Sequence, residues 1–171
     1  MAKLLLYNTL RFVVLIGMQV FLFKNIGYYN LASPFPYVLF ILLLPIGIPN
    51  FALFGLAFLT GVTVDAFYDT LGAHAAASVA LAWVRTVFLG ITLEADNHEK
   101  NATPMLGEVS FRWFFPYLWV TILAHHIVLF ILETFSFAQF HYTLLGIAIS
   151  CIFTVLVILL FSLVFYRKKR R

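Results

Sequence analysis

Phe54–Phe88 reads FGLAFLTGVTVDAFYDTLGAHAAASVALAWVRTVF, two apolar runs of helical length hinged at Asp69-Thr70-Leu71-Gly72. Within it, Asp65 and Arg85 stand in otherwise oily sequence. An ionisable group at membrane depth costs about 2.5 to 3.5 kcal/mol to insert, so each needs a partner, a wet cavity or a function. Ala57, Gly61 and Asp65 follow at i, i+4 and i+8, which puts the carboxylate on a small-residue stripe facing protein rather than lipid. On the following helix His74, Ser78 and Arg85 share a narrow polar sector, while Ala76 and Ala80 occupy another face. The pair predicts a helical hairpin that the other helices shelter.

The surrounding chain has the composition that such a hairpin requires. Over 171 residues, 63% are hydrophobic and only 11% charged, too little polar surface to clothe a soluble domain. The net charge of +4 does not point to nucleic acid, because five of the eleven basic residues are the last five, Arg167 to Arg171. That cluster reads as a cytoplasmic topology anchor that touches anionic lipid. Cys151 is the single cysteine and lies in an apolar run, so it reads as a buried, inert thiol. Lys3 followed by an apolar run imitates a signal peptide, but Arg11 interrupts the run and no small-residue cleavage pattern follows, so the segment reads as a retained first span.

Six helices are expected in one all-α membrane domain spanning residues 1–171: about 4–23, 36–49, 51–67, 71–93, 113–135 and 142–166. Helix 1 turns Asn8, Gln19 and, beside them, Arg11 inward. Tyr28 and Tyr29 in the following loop suit the interfacial belt. The second segment, PYVLFILLLPIGIP, would be only about 21 Å long as a helix and contains Pro45. It reads as a short kinked span covered by its neighbours, with a re-entrant segment as the alternative. Residues 94–112 form the one long hydrophilic loop. Gly146, Ser150 and Thr154 make a further small-residue stripe on helix 6. With the basic tail inside and an even number of spans, both termini are expected in the cytoplasm.

Counting from the cytoplasmic ends puts Arg11 and Arg85 about 10 to 12 Å deep, and Asp65, His125 and His126 about 18 to 21 Å deep. Two polar layers result. Asp65 with His125 or His126 reads either as a proton relay or as a structural polar lock, and the lock is the preferred expectation. His125 and His126 are adjacent, about 100° apart on a helix, so they do not ligate one metal from one face. His98, among Glu94, Asp96 and Glu99, lacks ligand spacing. No phosphate loop, nucleophile elbow or zinc-protease motif is present in the sequence, so no enzymatic activity, metal or cofactor is expected. Asn101-Ala-Thr103 fits a glycosylation pattern, but it falls on the cytoplasmic side of this topology.

At the hairpin the chain resembles the MreD family of bacterial rod-shape and cell-elongation proteins. The resemblance rests on the Pro36-led PYVLFILL, FGLAFLTG at the start of helix 3, Asp65 near that helix's outer end, and Leu71-Gly72 before a small-residue helix 4. It covers 33–89 in residues and the whole chain in plan. Tyr37 stands where the family often carries asparagine, and the stretch from Asp65 to Gly72 is a residue shorter. The resemblance implies a bacterial inner-membrane protein with a fold akin to the substrate-binding subunits of energy-coupling-factor transporters. The implied partners are an MreC-like single-span protein, a RodA-type glycosyltransferase with its transpeptidase, and the MreB filament. The alternatives are a vitamin-binding subunit of such a transporter, whose alanine faces on helix 4 a coupling subunit would grip, and a proton-coupled transporter resting on Asp65, Arg85 and the histidines. The stripes of Ala57, Gly61, Gly72, Ala76, Ala80, Gly146 and Ser150 are the expected packing or partner faces.

Overall fold

The computed structural model describes residues 2–26, 33–93, 102–134 and 140–164, with side chains from residue 6 onward. The fold is an all-α membrane bundle. Its elements are α1 (Ala2–Phe21) followed by a 3₁₀ turn at Phe23–Asn25, α2 (Val38–Leu42), α3 (Asn50–Tyr68), α4 (Ala73–Thr92), α5 (Phe111–Thr134) and α6 (Phe140–Val164). Five of these six helices are long and apolar enough to cross a membrane. Their bounds fall within one to two residues of the expected ones. The basic tail, Tyr28, Tyr29, His98 and Asn101 lie outside the described residues.

The second segment is the correction. Instead of a helix over 36–49, the chain forms the five-residue α2 flanked by turns, and every residue from 34 to 45 is buried. Proline chemistry explains the truncation. Pro34 and Pro36 hold Ser33 and Phe35 extended, and Pro45 has no N–H with which to continue the helix. The expected kink at Pro45 is a full stop, and the helix keeps only Val38–Leu42 of the expected 36–49.

Around this buried thread, α4 packs between α3 and α5, α5 packs on α6, and α1 leans on α2 and α3. The α3–α4 turn closes with Asp69 in the left-handed region, its N–H on the Asp65 carbonyl, and with Gly72 at φ 89°. Asp tolerates that conformation in isolation, and Gly adopts it freely. Two reversed backbone residues within four positions are what turn the chain sharply enough for α4 to run back along α3.

α3 and α4 touch through the expected stripe. A Cβ on Gly61 would lie 2.3 Å from the Ala75 Cα, 2.5 Å from the Ala75 nitrogen and 2.5 Å from the His74 carbonyl oxygen. Only glycine permits that approach of backbone to backbone, and the Ala57 and Asp65 side chains are buried on the same face.

Candidate functional site

Asp65 is held where α3 ends and α4 begins. Its Oδ1 accepts the His74 N–H at 3.0 Å, its Oδ2 accepts the Ala75 N–H at 3.0 Å, and the Thr70 hydroxyl donates to Oδ1. Gly72, at the N-cap position of α4, has no side chain to offer. The carboxylate of the preceding helix therefore serves as the cap, satisfying two of the orphan donors at the positive end of the α4 dipole. The His74 ring adds Nδ1 at 3.1 Å from Oδ1. The expected pairing of Asp65 with His125 or His126 is thus corrected to His74. Among the described residues no hydrogen bond joins Asp65 to His125, His126 or Arg85.

His125 and His126 are fully buried and serve the buried thread. Tyr37 Oη is 2.6 Å from His125 Nε2 and 3.4 Å from Ser78 Oγ. His126 Nδ1 donates to the Ile122 carbonyl at 2.9 Å, which leaves Nε2 as the acceptor for the Thr154 hydroxyl at 3.2 Å. Thr154 Oγ1 in turn accepts the Phe35 N–H at 3.0 Å, and Ser150 Oγ accepts the Ser33 N–H at 3.0 Å. Gln19 spans the thread: it donates to Tyr68 Oη at 2.6 Å and to the Pro34 carbonyl at 3.4 Å, and accepts the Tyr37 N–H at 3.5 Å. Both nitrogens of His126 are matched in its neutral form, which makes it a structural member. The Phe35 ring meets His74, His125 and His126 with centroids 5.6, 6.1 and 5.5 Å away.

The other end of the thread carries the arginines. The Tyr117 hydroxyl donates to the Leu42 carbonyl at 2.9 Å, Arg11 Nη1 to Leu43 at 3.0 Å, and Arg85 Nη2 to Leu44 at 2.6 Å and Pro45 at 3.2 Å. Four successive carbonyls at the negative end of a broken helix are thereby taken by donors from α1, α4 and α5. The expected common layer of Arg11 and Arg85 corresponds to this clasp. Backbone polar groups at membrane depth must be satisfied by protein, and this is how an irregular segment survives there.

Tyr37 and Tyr117 are members of this core to which the linear sequence assigns no role, while Gln19 and His74, expected on inward polar faces, here gain their partners. Tyr37 carried a signal, as one of the two points of departure from the resembled family.

The small-residue stripes divide into used and unused. Ala57 and Gly61 are buried in the α3–α4 contact, and Gly146 and Ser150 are buried on α6. Gly72, Ala76 and Ala80 instead line a groove of about 620 Å³ on the outside of the hairpin, walled by Phe54, Phe58 and Trp83. Among the described residues, no group of three or more His, Cys, Asp or Glu side chains is placed to hold a metal.

Replacing Asp65 tests the cap. Asp65→Asn is expected to be milder than Asp65→Leu, because the amide oxygen still accepts one N–H whereas leucine strands both, at about 1 to 3 kcal/mol for each buried donor left unmade. The asparagine NH₂ then opposes one of the two N–H groups, so a partial loss is expected. Thermal unfolding in detergent should rank wild type above Asn and Asn above Leu, and equal melting of the two variants would refute the cap.

In comparisons with known proteins, no family model, no curated protein and no solved structure matches the chain.

Proposed function

We propose that this chain is a non-enzymatic scaffold of bacterial cell elongation, of the MreD type, that docks the single membrane span of an MreC-like partner. Through that partner it stands beside a RodA-type glycosyltransferase, its transpeptidase and the MreB filament. In this reading it lies in the inner membrane with both termini in the cytoplasm, the orientation set by the basic tail. The observation that carries the reading is the open groove of Gly72, Ala76 and Ala80. Small residues let a second helix approach closely in lipid, and the equivalent stripes on α3 and α6 are already spent inside the bundle. The names of the partners come from the family resemblance.

A vitamin-binding transporter subunit is the second reading, favoured by the same alanine face as a grip for a coupling subunit. Against it, the space among α1, α4, α5 and α6 is filled by residues 34–45, whose polar groups are matched by those helices.

Ala76 is exposed, so Ala76→Phe fills the groove without disturbing the core. Accumulation should stay at the wild-type level, while recovery of the MreC-like partner from native membranes falls by about tenfold or more, equivalent to about 1.4 kcal/mol. Depletion of the protein should give rounded, swelling cells. Cells that keep their shape but fail to take up a vitamin, with that vitamin copurifying, would replace this reading with the transporter one.

A further inference from the structure

The His74 ring is fully buried, and its two nitrogens are treated differently. Nδ1 donates to Asp65, whereas Nε2 has no hydrogen-bond partner among the described residues. The ring sits among Tyr68, Phe35 and Tyr37, with centroids 5.0, 5.6 and 6.1 Å away. Asp65 therefore selects the Nδ1–H tautomer and leaves a free lone pair on Nε2, the one position on this ring at which a proton adds.

We propose that Asp65 and His74 form a proton-operated latch on the α3–α4 turn: neutral His74 holds the first turn of α4 closed on Asp65, and its protonation releases that turn. A neutral ring nitrogen tolerates an apolar cage at small cost. An imidazolium brings a second N–H with only aromatic rings beside it, so a charged donor is left buried and unmade. Two attractions oppose this, those of the Asp65 carboxylate and of the ring faces. The carboxylate already accepts the His74 and Ala75 amides, the Thr70 hydroxyl and Nδ1–H itself, so a proton added at Nε2 brings it no further hydrogen bond to set against the unmade donor. Release is short, because Asp69 and Leu71 in the turn are exposed and lie within about one helical turn of His74 in the chain.

The other polar and charged groups around the ring come from every packed element. Tyr68 faces it from α3, with Gln19 of α1 bonded to the Tyr68 hydroxyl and the Lys24 ammonium 5.5 Å from the Tyr68 ring centroid. Tyr37 faces it from the thread. From α5, the His125 ring interacts with it electrostatically, and the exposed Glu133 interacts with Asp65. None of these offers Nε2 a hydrogen bond.

The latch lies under the groove, since Ala75, whose N–H Asp65 holds, is one of the residues lining it together with Gly72. Releasing the turn reshapes the surface on which the proposed partner helix docks. This consequence rests on the proposed function, whereas the latch itself is tested without any partner, so either can fail alone.

The test is hydrogen–deuterium exchange of the amides of residues 73–77 in nanodiscs, corrected for the intrinsic pH dependence of exchange. Wild-type protection should fall by about tenfold between about pH 7.5 and about pH 5. His74→Asn keeps a donor near the Nδ1 position but takes no proton, and its protection should stay flat. Wild-type protection that is unchanged over this range overturns the proposal. So does an equal loss in folded His74→Asn, or a loss that His125→Asn abolishes. Should His74→Asn not fold, ring-¹⁵N spectra of wild type decide: His74 must pass from the Nδ1–H tautomer to imidazolium over the same range, and a ring that stays neutral overturns the latch.

Discussion

Gly61→Ala should all but abolish accumulation of the protein in the membrane. One methyl group placed 2.3 Å from the Ala75 Cα and 2.5 Å from two further backbone atoms cannot be accommodated by rotating a side chain. The helices themselves must separate, and separation also lengthens the bonds from the His74 and Ala75 amides to Asp65. Overpacking of this kind costs about 1 to 3 kcal/mol or more, and loss of the cap adds about 0.5 to 2 kcal/mol. Against a total stability of about 5 to 15 kcal/mol the sum is severe. On the same helix, Leu59→Ala alters a side chain that is 58% exposed toward lipid and should change stability by no more than about 0.5 kcal/mol. Membrane yield and thermal melting of the two variants measure the contrast. A Gly61→Ala protein with wild-type yield and melting would remove the close-approach account of the hairpin.

Arg85→Met should be the next most damaging substitution. Arg85 is 1% exposed, and its guanidinium donates to both Leu44 and Pro45. Methionine fills much of the volume but leaves the Leu44 carbonyl without its donor and the Pro45 carbonyl with only the Ile48 N–H at 3.3 Å. The expected cost is about 2 kcal/mol or more, from about 1 to 3 kcal/mol for each buried group left unmade. Arg11→Met should cost less, because Arg11 is only partly buried and donates to a single thread carbonyl. Arg85→Lys should recover part of the loss, since an ammonium reaches one carbonyl as a point charge but lacks the planar fork. Melting temperatures that rank Arg85→Met at or above wild type would show that burying the charge costs more than the clasp returns.

These two residues also mark how far linear reasoning reaches. Gly61 was legible, because a small residue every fourth position on an apolar helix has one strong physical use in lipid, close approach of a second backbone. The hairpin was legible for a similar reason: Asp69 and Gly72 are residues that enter the left-handed region, and they interrupt two apolar runs. Counting depth along the helices brought Arg11 and Arg85 to a common layer, since axial rise is nearly constant.

The objects that those arginines hold were not legible. Leu43, Leu44 and Pro45 present backbone carbonyls, which carry no residue-specific signal. They need donors only because the prolines cut α2 to five residues, and the donors that satisfy the thread's carbonyls stand as far as 75 residues away in sequence. Asp65 was misassigned for a related reason. Depth placed it level with His125 and His126 but ignored the turn, which folds His74 back onto the carboxylate nine residues upstream.

What the sequence by itself determined is the all-α membrane character, the five long helices, the sharp α3–α4 turn and the stripe on which the hairpin packs. These follow from local hydrophobicity, periodicity and backbone conformational preference, which act over one or two helical turns. Only the tertiary structure decided which buried donor meets which acceptor, that residues 34–45 fill the interior, and that Gly72, Ala76 and Ala80 are the stripe left open. Hydrogen-bond matching in a buried core is a property of the whole set of helices, and no single segment encodes it.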